Sequence, residues 1–256
     1  MTMIESIILG VIQGLTEFLP ISSSGHLILG QYFLGINLEG ILLEVVLHLG
    51  TLFAILIYYK DELKEIVFQT IQGNIEKQKY SLYIILASLP IGYMGLFHGD
   101  FIEDYFISSV VIWALFINGI VLASTYFLSK KSISDLTFKI AFLIGIAQVF
   151  ALIPGISRSG VTISIALILG LKHVEAAKFS FFLAIPSLFG AGIMQIMNIE
   201  NINNIIFTNL ILGFIFSSLV GYFVIDWLIK VISKGKFYYF SFYCIFLSII
   251  SNLYIH

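Results

Sequence analysis

Long apolar stretches separated by short polar ones dominate the chain. Runs at about 41–59, 80–98, 107–128, 179–199, 205–229 and 238–255 are each long enough to cross a bilayer, whose hydrocarbon core of ~30 Å takes roughly 20 apolar residues. Two further regions, 3–36 and 140–171, are apolar but are interrupted near the middle by Pro, Gly and Ser. Each half holds ~15 residues and reaches ~22 Å as a helix, short of the hydrocarbon thickness. These regions read as helix pairs that enter and return. Irregular backbone survives at membrane depth only where protein or a wet cavity satisfies its polar groups, so both tips should line an interior cavity. The pattern predicts an all-α polytopic membrane protein with six full transmembrane helices and two re-entrant helical hairpins.

The positions of the cations orient this arrangement. Of 13 basic residues one is Arg158, and the rest are lysines confined to 60–79, 130–139, 172–178 and 230–236. Loops rich in Lys and Arg stay cytoplasmic, so those four places belong inside. The loops near Asn37 and Glu39, around Asp100, Glu103 and Asp104, and around Glu200 carry no Lys or Arg and belong outside. The first hairpin then enters from outside and the second from the cytoplasm. Comparison at a fixed offset of 135 pairs Gly10 with Gly145, Gln13 with Gln148, Ile21 with Ile156, Ser22 with Ser157, Ser24 with Ser159 and Gly25 with Gly160, while Pro20 and Pro154 miss register by one. One integral membrane domain, 1–256, is therefore expected to hold an inverted-topology repeat with halves of about 1–130 and 131–256. Inverted repeats commonly place their site at the midplane between broken helices.

Composition narrows the class further. With 59% apolar and 11% charged residues over 256 positions, a solvated globular surface is excluded and no room remains for a soluble domain. A formal charge of −2 gives no reason to expect nucleic acid. The single cysteine, Cys244, lies in an apolar run and has no partner for an internal disulfide. Residues 1–10 lack the charged start and cleavage site of a signal peptide, so the first apolar run is expected to be retained.

Both tips are dense in chemistry. The first, 13–26, carries Gln13, Glu17, Pro20, the run Ser22-Ser23-Ser24, Gly25 and His26. Gln13 and Glu17 stand four apart and share a helix face. An ionisable group inside a membrane costs at least ~2.5 kcal/mol on insertion scales and marks a functional site by default. For the serines the plainer role is to satisfy backbone groups freed by Pro20. The second tip reads Pro154-Gly155-Ile156-Ser157-Arg158-Ser159-Gly160-Val161-Thr162 and holds the only arginine. A guanidinium fork binds phosphate oxygens bidentately where lysine offers a point charge. The helix expected after Gly160 adds an N-terminus for an anion. Pairing of Arg158 with Glu17 or Glu44 is the structural alternative.

These two tips resemble the signature regions of the undecaprenyl-diphosphate phosphatase family, the bacitracin-resistance type. The first signature is matched by Gln13 and Glu17 with the Ser-Ser-Ser-Gly-His run, and the second is complete at 154–160. Glu44 to Thr51 is similar to the family's third helix and Phe179 to Pro186 to the span after the second motif. The resemblance implies hydrolysis of undecaprenyl diphosphate to the monophosphate at the outer face of the bacterial cytoplasmic membrane, with a divalent cation, Mg2+ or Ca2+. The expected catalytic residues are Glu17, Ser23, His26 and Arg158, with Glu17 also a metal ligand. The expected substrate-binding residues are Gln13, Ser22, Gly25, Gly155, Ser157, Ser159, Gly160 and Thr162. Gln13 departs from members with two glutamates, which puts a two-carboxylate mechanism in doubt, although Mg2+ often uses one or two carboxylates plus substrate phosphates.

Three nucleophiles remain open: Ser23 activated by Glu17 or His26, His26 itself, or a water held by Glu17 and the cation. A lipid flippase or transporter is the rival class, since inverted repeats and broken hairpins recur in carriers. The acid-phosphatase type of lipid phosphatase shares Ser-Gly-His at 24–26 but requires a His where this chain has Ser164. Glu44 and His48 read equally as support for the site or as a satisfied interior pair. Asp226 and His173 read as interfacial, and His98 with the acidic residues after it as an outer loop. Expected partners are the carrier lipid, the membrane and, as the assembly to test, a homodimer.

Overall fold

The computed structural model describes residues 2–36, 42–98, 107–129, 135–197 and 204–255. The outer loops expected near Asn37 and Glu39, at Asp100, Glu103 and Asp104 and at Glu200, and also Lys130 and Lys131, lie outside these residues. Among the described residues the chain forms eleven α-helices: α1 (Met3–Thr16), α2 (Ser23–Leu34), α3 (Leu42–Tyr58), α4 (Lys60–Ile71), α5 (Ile75–Phe97), α6 (Ser108–Leu128), α7 (Phe138–Val149), α8 (Arg158–Ile168), α9 (His173–Met197), α10 (Asn204–Ser233) and α11 (Phe240–Ile255).

Five helical stretches are long and apolar enough to cross a membrane: Ile75–Phe97, Ser109–Leu128, His173–Ile193, Phe207–Ser233 and Phe237–Tyr254. They match five of the six expected spans. The sixth, α3, is only 17 residues long and turns by 74° into α4 at Tyr59. The segment 60–71, expected as part of a lysine-bearing loop, is instead this helix, and 172–178 runs into the first turns of α9. Local chemistry explains both departures. Asp61 and Glu62 sit in the first turn of α4, where they complement the helix dipole. Lys178 of α9 reaches Glu62 at 2.8 Å and Glu175 at 3.4 Å, tying the two elements together.

Polarity is distributed as in a protein whose solvent is lipid. Gln13, Thr51, Asn118, Gln148 and Ser217 are fully buried, whereas Trp113 is 65% and Phe127 79% exposed. In water such an apolar surface would associate; this is an integral membrane protein.

The two broken regions are helix–turn–helix units. In the first, Gly30 of α2 lies beside Ile12 and Leu9 of α1, so α2 returns along α1. In the second, α7 and α8 pack together across the segment 150–157. Short α1 enters the bundle because small residues let it approach α10. A Cβ added at Gly10 would lie 2.7 Å from the Gly213 carbonyl oxygen, and one at Gly14 2.7 Å from that of Ser217. Close approach of this kind substitutes dispersion contacts for the hydrophobic drive that lipid does not supply. Gly145 of α7 similarly faces the Ala87 backbone of α5. The larger core gathers Phe18, Phe179, Phe181, Phe182 and Ile55 behind both tips.

Candidate active site

The tips share a local design that the serines dictate. Ser22 caps α2, accepting from the Gly25 N–H at 3.2 Å, and Ser157 caps α8, accepting from the Gly160 N–H at 3.0 Å. Each spares a buried helix N-terminus an unpaired donor. Ser22 and Ser24 hydroxyls lie 3.3 Å apart, and those of Ser157 and Ser159 3.1 Å. Ser22 has φ +70°, the one non-glycine residue in the left-handed region among the described residues. Such strain persists only where surrounding bonds over-determine it. Gly155, at φ +101°, sits against the Val111 carbonyl of α6, and Gly25 faces Gly155 across the tips. Ser159 Oγ donates to the Leu19 carbonyl at 3.1 Å, bonding one tip to the other.

This contact brings residues 141 apart in sequence into one site. Glu17, at the end of α1, is buried, and its Oε1 pairs with Arg158 Nη2. Its Oε2 accepts from Ser23 Oγ at 2.6 Å and from Gln13 Nε2 at 3.0 Å, and His48 Nε2 stands 3.4 Å away. The other arm of the guanidinium, Arg158 Nη1, is buried without a hydrogen-bond partner. A buried charged donor left unpaired is costly, and here it belongs to a residue lining a cavity of about 280 Å³. Glu17, Ser23, Ser24, Glu44, His48, Ser157 and Arg158 line that cavity. Ile91 and Ser187, each following a proline inside α5 and α9, also line it.

Of the expected catalytic residues, Glu17, Ser23 and Arg158 converge and His26 does not. The His26 ring turns toward an apolar groove on another side of α2, stacked on Tyr243 of α11. In the neutral ring Nδ1–H donates to the Ser22 carbonyl at 2.7 Å, leaving Nε2 to accept from the Tyr243 hydroxyl at 2.7 Å. Among the expected phosphate-binding residues Ser157 lines the cavity, and Gln13 reaches it only through Glu17. Ser22, Gly25, Gly155, Ser159 and Gly160 build the tips. Thr162 is buried behind them, bonded to the Arg158 carbonyl and to Ser180 Oγ, each at 2.7 Å. The imidazole that does face Glu17 is His48, fixed through Nδ1 on the Glu44 carbonyl at 2.6 Å. Its signal was the Glu44–His48 pair at helical spacing in an apolar span, which by itself does not tell a site from a satisfied pair.

Among the described residues no group of three or more His, Cys, Asp or Glu converges as a self-contained metal cage. The cavity wall nevertheless carries oxygen donors from Glu17, Glu44 and Ser23. This donor set fits a hard cation that takes its remaining ligands from water and substrate phosphate.

Residues 6–250 match the family model described as bacitracin resistance protein BacA. The chain belongs to this family. Undecaprenyl-diphosphatase of Halothermothrix orenii is 39% identical over 249 residues, 95% of either chain. The protein of the same name from Caldicellulosiruptor bescii is 39% identical over 255 residues, 97% of this chain and 96% of its own. Undecaprenyl-diphosphatase 1 of Bacillus licheniformis is 37% identical over 261 residues, 97% of either chain. The likeness thus runs through residues 6–250 and is not confined to the two tips.

Proposed function

We propose that this protein is an undecaprenyl-diphosphate phosphatase, cleaving the lipid diphosphate to undecaprenyl phosphate and inorganic phosphate. This recycles the carrier lipid for cell-wall synthesis and confers resistance to bacitracin. The observation that carries the proposal is the meeting of Glu17, Ser23 and Arg158 at one cavity wall, in a chain whose relatives bear that enzyme's name. The prenyl tail stays in lipid while the diphosphate enters the cavity. Arg158 keeps one arm on Glu17 and presents Nη1 to the phosphoryl oxygens, where a fixed donor in a dry site stabilises developing charge. Ser23 already donates to Glu17, so its hydroxyl is the nucleophile and Glu17 the proton acceptor. Attack on the terminal phosphorus expels the prenyl monophosphate, and water then releases phosphate from the serine. A divalent cation, Mg2+ or Ca2+, held by Glu17 with Glu44 would offset the negative charge of the diphosphate.

The same reading takes the bent α3–α4 pair as the sixth span, the two helix–turn–helix units as re-entrant, and the halves 1–130 and 131–256 as inverted copies. The shared serine caps support the last of these. Lysine placement puts the first tip toward the outer face of the bacterial cytoplasmic membrane. Phosphate release from undecaprenyl diphosphate by the purified protein, with and without chelator, tests the activity. Turnover that stops on chelation and returns with Mg2+ or Ca2+ is expected, whereas lipid binding or transfer without phosphate release would overturn the proposal in favour of a carrier.

A further inference from the structure

α6 passes beneath both tips and is the element they have in common. Val111, Ala114, Leu115 and Asn118 recur at the spacing of one helix face, and three of them are apolar and buried. Val111 and Ala114 pack under Gly155, and Val111 also meets Gly25. One and two turns further on, this face ends in an amide. Asn118 is fully buried. Its Nδ2 donates to the Pro20 carbonyl of the first tip at 2.8 Å, and its Oδ1 accepts from the Ser157 N–H of the second at 3.1 Å.

Both bonds fall next to the chemistry. Pro20 lies between Glu17 and Ser23, and Ser157 is the cap immediately before Arg158. A buried asparagine can be satisfied in many ways, but here its two opposite functions are divided between two chain segments 137 residues apart. No apolar side chain of similar size can do both. The direct bonds between the tips, from Ser157 and Ser159 to the Leu19 carbonyl, are donor-to-carbonyl only, so they fix separation without fixing the facing of the Ser157 N–H. We propose that Asn118 is a positioning residue for the phosphoryl-transfer site, an amide clamp that sets Arg158 and its helix against Glu17 and Ser23. It touches no reacting atom and acts through the Pro20 and Ser157 backbone. The proposal rests on the hydrolase reading of that site.

Two substitutions and one thiol test it. Asn118→Leu removes donor and acceptor while keeping size; kcat should fall by ~10²-fold, the order expected for misplacement by about 1 Å, with KM changed less than ~3-fold. Asn118→Asp separates the clamp from a plain packing role. As a neutral acid its O–H donates to Pro20 and its C=O accepts from Ser157, but as a carboxylate it opposes the Pro20 carbonyl. Protonation restores the O–H donor, so the deficit of the Asp variant relative to wild type should shrink as pH falls, and that of the Leu variant should not. Cys244, the only cysteine, is buried with Sγ 3.4 Å from Asn118 Nδ2, and no other titratable side chain among the described residues bonds to this amide. Loosened tips should speed its alkylation by a membrane-permeant maleimide by ~10-fold in Asn118→Leu.

Wild-type turnover in the Leu variant, a pH-independent deficit in the Asp variant, or unchanged Cys244 alkylation would each overturn the clamp. Failure of both variants to fold at every pH would do so too, since the amide would then be a folding element only. If wild-type protein releases no phosphate, the hydrolase reading fails by itself, and the Cys244 rates still decide whether Asn118 holds the tips.

Discussion

Replacing Arg158 by lysine separates charge from geometry. The guanidinium places Nη2 on Glu17 and keeps Nη1 buried without a partner, in a residue that lines the cavity. Lysine keeps the positive charge, so the buried Glu17 carboxylate is not left alone; an uncompensated buried charge would cost about 3–5 kcal/mol and confound activity with unfolding, as expected for Arg158→Ala. What Arg158→Lys loses is the second arm. A single ammonium on a flexible stem must choose between Glu17 and phosphate. Losing one preorganised donor to a developing oxyanion costs ~10²–10³ in kcat, or about 2.7–4 kcal/mol of transition-state stabilisation. The assay is phosphate release at saturating undecaprenyl diphosphate, with thermal unfolding in detergent as the control for folding. Turnover within ~3-fold of wild type, in a variant that unfolds at the wild-type temperature, would refute the role assigned to the fork.

Three further outcomes follow from the same geometry. Glu17→Gln keeps the volume but removes both the anionic partner of Arg158 and the base that takes the Ser23 proton, so kcat should fall by ~10²–10⁴ with loss of cation dependence, read beside thermal unfolding in detergent because the Arg158 charge is left unpaired; a silent change would end the assignment. His26→Ala removes a bond to the Ser22 carbonyl and with it ~1 kcal/mol of support for the strained cap, lowering kcat by at most about fivefold, while rapid quench should still trap phosphate on Ser23. An adduct found on His26 in the wild type would reverse those roles. Gly14→Val forces side-chain atoms toward the Ser217 carbonyl and Val220 and should lower thermal stability by ~1–3 kcal/mol or more, read as an earlier unfolding transition in detergent.

Much of this site was legible residue by residue. The carboxylate, the serine run and the lone guanidinium announced themselves because each is expensive in an apolar chain, and the Gly, Pro and Ser clusters located both breaks. His26 stands apart from the cavity for a physical reason. Three residues after Ser23 on the same helix, it looks like a neighbour, yet Tyr243 of α11 draws the ring to the opposite groove. Asn118 carried no signal at all, since one buried amide in an apolar span has no periodicity to betray its two partners. The segment 60–71 was hidden by its charge, which reads as loop until Lys178 supplies the ion pair that seats α4.

Lipid as solvent, helices as the means of crossing it and two interrupted regions rich in chemistry were all written in the amino-acid order, because they depend on length, local propensity and the cost of burying charge. Which side chains face one another depended on the packed bundle. Glu17 meets Arg158, Ser23 turns to Glu17, and His48 rather than His26 lies beside that carboxylate because the packed helices hold the tips in one orientation. Contacts between segments more than a hundred residues apart are set by that packing, and helical periodicity reaches no further than a few turns.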